Sequence, residues 1–555
     1  MRHLGLLLAL ACLGESCTVR TSEGSNAGGA DSTTASSGGG ADSDVGGAAG
    51  ACASGESLCG GNCVDLQTDD ANCGACDARC PTGLTCGAGS CCPSPTILCG
   101  DHCLDPTEDD NNCGACDKAC NSGKHCAAAT CQTSKIEHVV LIVEENHTFD
   151  AYFGRYCKAE PGSNPTCTMG PACCESAPRQ EPGGATPIVL DDASNFAADR
   201  DHAQDCELQQ IDGGKMDRFV AGSVGAATCL GVGPSCSSPS NWALAGPDTM
   251  APYWALADGN ALADRYFQPV AGSTASNNMY FAVAHFQFFD NAAVPIAVGS
   301  PSNCTSSICL DGMPTRYSGR NTVADLILQA GKTFTVYADG YAGAVEAGPS
   351  SCASIPPECP YSSCLDHPLA CHGCIYDASD IPFVYYKQFA DSPHIKDYLE
   401  LQRDLDAGAL PNFAFVKARL YRNEHPNVST ISDGAAFVTD TIDRIEASSY
   451  ADNTLVLLTW DEGGGFFDHV SPPASIDTDT SGKPVPYGTR VPFLAVGSLV
   501  RKGVVSHVQM EHSSIVRFLE YNFVGPVGQL GFNDAKVNNL GSLLDPSKTG
   551  IRIPE

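Results

Sequence analysis

Positive charge is scarce in this chain: 31 Lys plus Arg stand against 64 Asp plus Glu, a formal net charge of -33 over 555 residues. A field of that sign repels polyanions, so nucleic acid and anionic lipid surfaces are excluded as electrostatic partners. It also disfavours anionic substrates, unless a metal or local cations reverse the sign inside a site. Long apolar runs are missing too. Beyond the first residues, no stretch is long and apolar enough for a transmembrane helix. Three catalytic signatures are also absent. There is no G-x-S-x-G nucleophile elbow. Gly331-Lys332-Thr333 lacks the earlier glycine of a phosphate-binding loop. No Cys-x-Pro-x-Arg occurs, which the formylglycine sulfatases need.

Cysteine, by contrast, is plentiful, with 32 in the chain. The opening MRHLGLLLALAC gives one Arg and then a short apolar run, which fits an export signal over residues 1–17. Cys12 follows Ala9-Leu10-Ala11, loosely like the cleavage box of bacterial lipoproteins, but Ala9 stands where that box usually has an aliphatic residue. Plain secretion is therefore the first reading and a lipid anchor the second, with the periplasm, cell surface or medium as destination. Cysteines in an exported chain point to disulfides rather than zinc. Residues 18–57 are Gly, Ser, Ala, Thr and Asp with almost no large side chains, a composition that predicts a flexible linker.

A repeat follows over 58–131. Cys59, Cys63, Cys73, Cys76, Cys80, Cys86 and Cys91 recur 40 residues later as Cys99, Cys103, Cys113, Cys116, Cys120, Cys126 and Cys131. With few apolar residues, each unit must be held by disulfides. Asp65, Asp69 and Asp70 have calcium-type side chains, although a solvated acidic loop is the simpler reading. The two units resemble cysteine-rich modules of exported bacterial proteins; the resemblance names no ligand and leaves their function open, a cell-surface ligand being one partner they could take.

From about Ile136 the texture becomes α/β. Apolar β-rich runs at 138–143, 334–337, 413–416, 454–459 and 491–496 alternate with amphipathic segments such as 435–446, where Phe437, Ile442 and Ile445 share a helical face. This alternation predicts an α/β sandwich around a mostly parallel sheet, with ligands beyond the carboxyl ends of its strands. Three of those ends carry metal-type or acid–base side chains: Glu145 and Asn146; Glu424 and His425; Asp461, Glu462, Asp468 and His469. One polar strand end is usually just a strand leaving the core, but three on one edge make a site. Glycines 463–465 permit close backbone approach beside it. A nucleophile is offered by Ser273, Thr274 or Ser276, which precede the helical pattern Met279, Ala282, Val283, Phe286. There a phosphate would meet free N–H groups and the positive end of a helix. An ordinary Ser/Thr helix cap is the competing reading, and this stretch alone favours it.

ENHTFDAYFG at 145–154 resembles the E-N-x-S/T-F-D-x-Y-F-G opening of the bacterial phosphoesterase family, which holds phospholipases C and acid phosphatases within the alkaline-phosphatase-like superfamily. The likeness continues in order through DHAQ at 201–204, GGKMDRF at 213–219, ALADRYF at 261–267 and NEHP at 423–426. It closes with WDEGGGFFDHVSPP at 460–473, YGTRVPFLAVGS at 487–498 and EHSSIVRFLE at 511–520.

The resemblance implies an alkaline-phosphatase-like catalytic domain over 136–555. Its divalent metal (Mg, Ca, Mn or Zn) would be held by Glu145, Asn146, Asp461 and Glu462, with Thr274 completing the site. Thr274 would be the nucleophile, with Ser273 or Ser276 as alternatives because Ser276 replaces the family's proline. His202 and His425 would hydrogen-bond phosphoryl oxygens or protonate the leaving group. Ser379-Asp380 stand where the family often has a histidine pair, and the cysteine-bearing stretches 157–174 and 352–374 are further departures. The implied reaction is hydrolysis of a phosphoester small molecule or phospholipid headgroup through a phosphothreonine. The chain stops soon after these blocks, without the extra C-terminal domains that large phospholipases of the family carry, which tilts the expectation towards a general phosphoesterase. The alternative from another class is a surface-binding protein that acts through its cysteine repeats and carries an inactive phosphoesterase domain; the intact acidic pairs oppose it.

Overall fold

A computed structural model describes residues 52–555 except 88, 94, 101, 122, 183, 198, 226, 229–230, 233–235, 301–311 and 348–375. The export signal, most of the linker and the stretch 352–374 lie outside the described residues. The chain divides into two compact units, Met1–Val64 and Asp65–Glu555. In the first, Ser57–Cys59 pairs antiparallel with Asn62–Val64, and a disulfide joins Cys52 to Cys63. Cys52, which composition assigns to the linker ending at 57, is held by this covalent bridge. Cys52 also has its counterpart 40 residues on, at Cys92, so each repeat carries eight cysteines.

In the second unit, Cys73–Cys86 and Cys80–Cys91 close two further loops of the first repeat. The second repeat is closed by Cys92–Cys103, Cys99–Cys116, Cys113–Cys126 and Cys120–Cys131. The acidic residues of the first repeat are spent on turns: Asp65, Asp69 and Asp70 accept backbone N–H groups from Gln67, Ala71 and Cys86.

Eight strands form the main sheet: β1 (His138–Glu144), β2 (Ala261–Ala263), β3 (Phe334–Ala338), β4 (Ile395–Asp397), β5 (Phe413–Lys417), β6 (Thr454–Trp460), β7 (Phe493–Val496) and β8 (Val504–Ser506). Their spatial order is β4-β3-β5-β1-β6-β7-β2-β8, and β7 alone runs antiparallel to its neighbours. Every residue of β1, β3, β5, β6 and β7 is buried, so both faces are covered and the strands read as apolar runs rather than alternations.

The helices that cover it include α1 (Phe149–Phe153), α2 (Pro247–Gly259), α3 (Thr274–Val283), α4 (Val323–Gln329), α5 (Ile431–Glu446) and α6 (His512–Leu519). Helices α3, α4 and α6 pack on one another, as do α2 and α5. Helix α5 begins at Ile431, ahead of the amphipathic stretch read from 435, because Thr430 caps it by accepting the Asp433 N–H at 3.0 Å.

Register decides what meets at the sheet edge. Val143 of β1 stands opposite Lys417 of β5 and Thr459 of β6, and Glu144 stands opposite Trp460. The segments after β1 and β6, together with the end of β5, therefore leave the sheet side by side.

Candidate active site

Beyond that edge, Glu145, Asn146, Asp461 and Glu462 are all buried. Asn146 takes a left-handed backbone conformation, φ 64°, which an Asn tolerates better than most residues. The turn that carries Glu462 presses against it: Gly464 has φ +62°, and a Cβ there would overlap the Asn146 carbonyl. The Asn146 N–H donates to Asp461 Oδ1 at 3.1 Å, and the Glu462 N–H donates to the same oxygen at 2.8 Å. His512, at the start of α6, donates from Nε2 to the Asp461 carbonyl at 2.6 Å, which fixes the backbone of that residue.

Thr274 is the first residue of α3 and is buried. Its hydroxyl donates to Asn146 Oδ1 at 3.5 Å, and the Asp461 carboxyl feels its presence. Ser276 turns away and donates to the Ser273 carbonyl at 2.8 Å. The N-terminus of α3 is less open than its sequence suggests. Asp290 and Asn291 side chains accept the N–H groups of Ser273 and Ala275, and the Asp290 carbonyl accepts that of Ser276. Most of the free donors expected for a phosphate are thus already engaged.

The two histidines converge on the same cavity of about 280 Å³, which Glu145, His202, Thr274, Asp380 and His425 help to line. Their ring centroids are 6.3 Å apart. His202 donates from Nδ1 to the Arg200 carbonyl at 2.7 Å, and its Nε2 lies 3.7 Å from Glu462 Oε1. Burial works against its charged form, but Glu462 and Asp199 outweigh burial and raise it to about 9. His425 Nδ1 donates to the Pro426 carbonyl at 2.7 Å, which leaves Nε2 free for a substrate.

The carboxylates are crowded. Burial and the Glu145 charge raise Asp461 to about 6, and burial holds Glu462 well above the carboxylate range despite His202. Asp461 Oδ2 and Glu462 Oε1 are buried with no hydrogen-bond partner. Orphaned oxygens of two acids beside an amide, a hydroxyl and a third acid fit a hard divalent cation.

Other strand-end residues separate from this site. Glu424 turns into the core and accepts from Tyr152 at 2.7 Å, from Trp460 Nε1 at 2.9 Å and from Tyr253. Asp468 and His469 join Asp150, Glu175 and Arg490 in a second cluster. That group includes three side chains of metal-site composition, yet Arg490 already supplies a cation there. The stretch 157–174, closed by Cys157–Cys174 and Cys167–Cys173, supplies no residue to the cavity lining.

One participant went unread in the sequence. Lys417 Nζ lies 2.6 Å from Glu145 Oε1, an ion pair without hydrogen-bond geometry. Burial opposes a charge on Glu145, but Lys417 and His425 together lower it below the ordinary range. The available signal was a lysine closing the apolar run Phe413-Ala414-Phe415-Val416.

A buried hydroxyl set among oxygen ligands, with imidazoles across a small cavity, is equipped to take up a phosphoryl or related group from an ester. Comparison with known proteins narrows the class. Residues 136–525 match the Phosphoesterase family; the chain belongs to it and is a phosphoric ester hydrolase. Residues 15–94 match the Stigma-specific STIG1-like protein family. Phospholipase C B of Mycobacterium tuberculosis is 24% identical over 461 residues, covering 76% of this chain and 80% of its own. Non-specific phospholipase C3 of Arabidopsis thaliana is 22% identical over 437 residues, 70% of each chain. Among solved structures, the phosphonate monoester hydrolase SpPMH from Silicibacter pomeroyi aligns with a TM-score of 0.26 and 10% identity, covering 54% of this chain and 72% of that one. No helix among the described residues is long and apolar enough to cross a membrane.

Proposed function

We propose that this chain is an exported, metal-dependent phosphodiesterase of phospholipase C type that works through a phosphothreonine on Thr274. The observation that carries the reading is the Thr274 hydroxyl, buried between Asn146 Oδ1 and Asp461 beside the unpartnered oxygens of Asp461 and Glu462. Relatives named as phospholipases C support a diester substrate, a choice between monoester and phospholipid that the sequence left open. Export is supported by the disulfides of the cysteine repeats.

Glu145, Asn146, Asp461, Glu462 and Thr274 would hold the cation; when bound, it lowers the hydroxyl's pKa and neutralises a nonbridging phosphoryl oxygen. Thr274, its proton given up to solvent, attacks phosphorus in line. His202, held protonated, donates a hydrogen bond to a phosphoryl oxygen. The bond from phosphorus to the alcohol oxygen breaks as His425 passes a proton from Nε2 to that oxygen, and the alcohol leaves. His425, now neutral, takes a proton from water, which attacks phosphorus and releases Thr274.

Acid quenching during turnover of a phosphorylcholine ester, followed by peptide mapping, should find phosphate on the peptide spanning 271–280. Thr274→Ala should lower turnover by about three orders of magnitude or more while metal binding persists, and Thr274→Ser should keep activity. Inversion at phosphorus would replace the two-step scheme with direct attack by water.

A further inference from the structure

His425 sits in a loop with an unusual backbone. Glu424 just before it and Asn427 two residues after it both take left-handed conformations, φ 74° and 68°. Outside glycine such conformations persist only where the surroundings impose them. Here one buried side chain reaches both ends of the loop. Asn195, in the short helix Asp192–Ala197, donates from Nδ2 to the Glu424 carbonyl at 2.9 Å and to the Ser429 carbonyl at 3.0 Å. Its own backbone carbonyl accepts the Asn427 N–H at 2.9 Å, midway along. With both amide protons given to carbonyls, Oδ1 can only accept, and it does so from His147 Nε2 at 3.0 Å. His147 is buried and follows Glu145 and Asn146 directly. Asn195 therefore joins the loop that carries His425 to the turn that carries two of the candidate metal ligands.

The strand edge makes a second tie, but only at the loop's entrance. The Glu145 N–H donates to the Asn423 carbonyl at 2.9 Å, and Asn423 Oδ1 accepts the His425 N–H at 3.1 Å. Past that point the path of the loop depends on Asn195. The His425 ring follows the same path, because its Nδ1 is bound to the Pro426 carbonyl at 2.7 Å. A buried amide with every polar atom partnered selects one arrangement over its neighbours. We propose that Asn195 is a positioning residue for ester cleavage: it fixes the 424–429 loop against the Glu145–Asn146 turn and so sets where His425 Nε2 meets the leaving alcohol oxygen. The inference rests on reading His425 as the group that protonates that oxygen. Asn195 exchanges no proton itself. Its effect is on aim, and a misplacement of about 1 Å costs roughly 100-fold in rate.

Two esters of phosphorylcholine test this on the full-length chain with Mn2+ present. The p-nitrophenyl ester expels a stable phenolate and needs little protonation, whereas the ethyl ester needs a proton on its leaving oxygen. The readout is kcat/KM, which covers the steps up to departure of the alcohol and leaves out the later attack of water. His425→Ala should lower it for the ethyl ester by about 10²–10⁴-fold and for the p-nitrophenyl ester far less. Asn195→Asp keeps the volume and an oxygen for His147 but cannot donate to the two carbonyls. Asn195→Ala removes the side-chain contacts without adding a charge. Both should lose about 100-fold on the ethyl ester and stay close to wild type on the p-nitrophenyl ester. The double variant Asn195→Ala, His425→Ala should be no slower than His425→Ala alone, because Asn195 acts through that ring. Circular dichroism checks the folding of each. A folded Asn195 variant with wild-type ethyl-ester cleavage overturns the proposal. Equal losses on the two esters, or losses that multiply in the double variant, overturn it as well, since general structural damage would behave in that way. If His425→Ala itself does not discriminate between the esters, the acid reading falls and this inference with it; if the wild-type chain cleaves neither, the diesterase reading falls first.

Discussion

Asp461 accepts two backbone N–H groups on Oδ1, from Asn146 and Glu462, while Oδ2 is buried without a partner. One oxygen therefore shapes the turn and the other is open to the proposed cation. Asp461→Asn keeps the first role through its carbonyl oxygen but withdraws the charge from the second. Metal affinity and turnover should fall together, by about 100-fold or more in affinity. Thr148 makes the useful contrast. Its hydroxyl caps α1 by accepting the Ala151 N–H at 3.2 Å and donates to the Phe467 carbonyl at 2.8 Å. Thr148→Ala should cost about 1 kcal/mol of stability and leave metal binding close to wild type. Calorimetric titration of both variants with Mn2+ checks the pair. Unchanged affinity in the Asn variant would sink the ligand assignment.

At the scale of elements, the charged cluster behind the site ties α1 to the loop after β6. His469 lies 2.7 Å from Asp150 through Nδ1 and 3.0 Å from Glu175 through Nε2, and Arg490 bridges Asp150 at 3.1 Å and Asp468 at 2.9 Å. Burial disfavours the charged ring of His469, but Asp150 and Glu175 prevail and raise it to about 9. A group raised in the folded state stabilises fully below its unfolded value, near 6.5, and loses that contribution as pH climbs through 9. The span corresponds to about 3 kcal/mol. Urea unfolding of wild type should show this loss between pH 6.5 and 9, and His469→Gln should be less stable at pH 6.5 but flatter across the range. Parallel curves for the two proteins would mean the ring is not held charged. This cluster also marks where sequence reading reached its limit. Asp468 and His469 follow β6 as closely in spirit as Asp461 and Glu462 do, and only the turn at Gly464 sends the two pairs to different clusters. The strands and the metal-type acids were legible because apolar runs and their polar ends are local facts. Lys417 was not, since its meaning depends on β5 lying beside β1, a pairing between residues far apart in the chain. The engagement of the α3 N–H groups by Asp290 and Asn291 was hidden for the same reason. Disulfide partners were unreadable on a further ground: eight cysteines admit 105 pairings, and spacing alone selects none of them.

At the scale of the whole molecule, the second cysteine repeat is built onto the sheet domain. The ring of His125 stacks on Tyr521 with centroids 3.7 Å apart, and its Nε2 lies 2.8 Å from the Tyr521 carbonyl. Its Nδ1 meets Asp110 at 2.7 Å, the same aspartate that accepts the Cys126 N–H, so the docking residue is braced by the repeat's own turn. Arg552 adds an ion pair to Glu108 at 2.9 Å, exposed enough to contribute little. The groove between repeat and domain, about 600 Å³, is lined by Gly123, Lys124, Ile136, Asn412 and Phe523. Ile136 lies two residues before β1 and Asn412 directly precedes β5, so the groove sits at the amino ends of the parallel strands, whereas Glu145 and Asp461 follow the carboxyl ends of β1 and β6. Contacts at that distance bear on stability, not on the reacting atoms. A truncated chain beginning at Ser134 should keep kcat/KM within about twofold, because every residue placed in the cavity lies beyond it. It should also melt lower, by about 2–4 °C for each kcal/mol that the His125–Tyr521 contact contributes. His125→Ala in the full chain should reproduce most of that shift with turnover unchanged. Steady-state kinetics and thermal melts on both proteins separate the two effects. A folded, metal-loaded truncation whose turnover fell tenfold would show that the repeat reaches the site through the sheet.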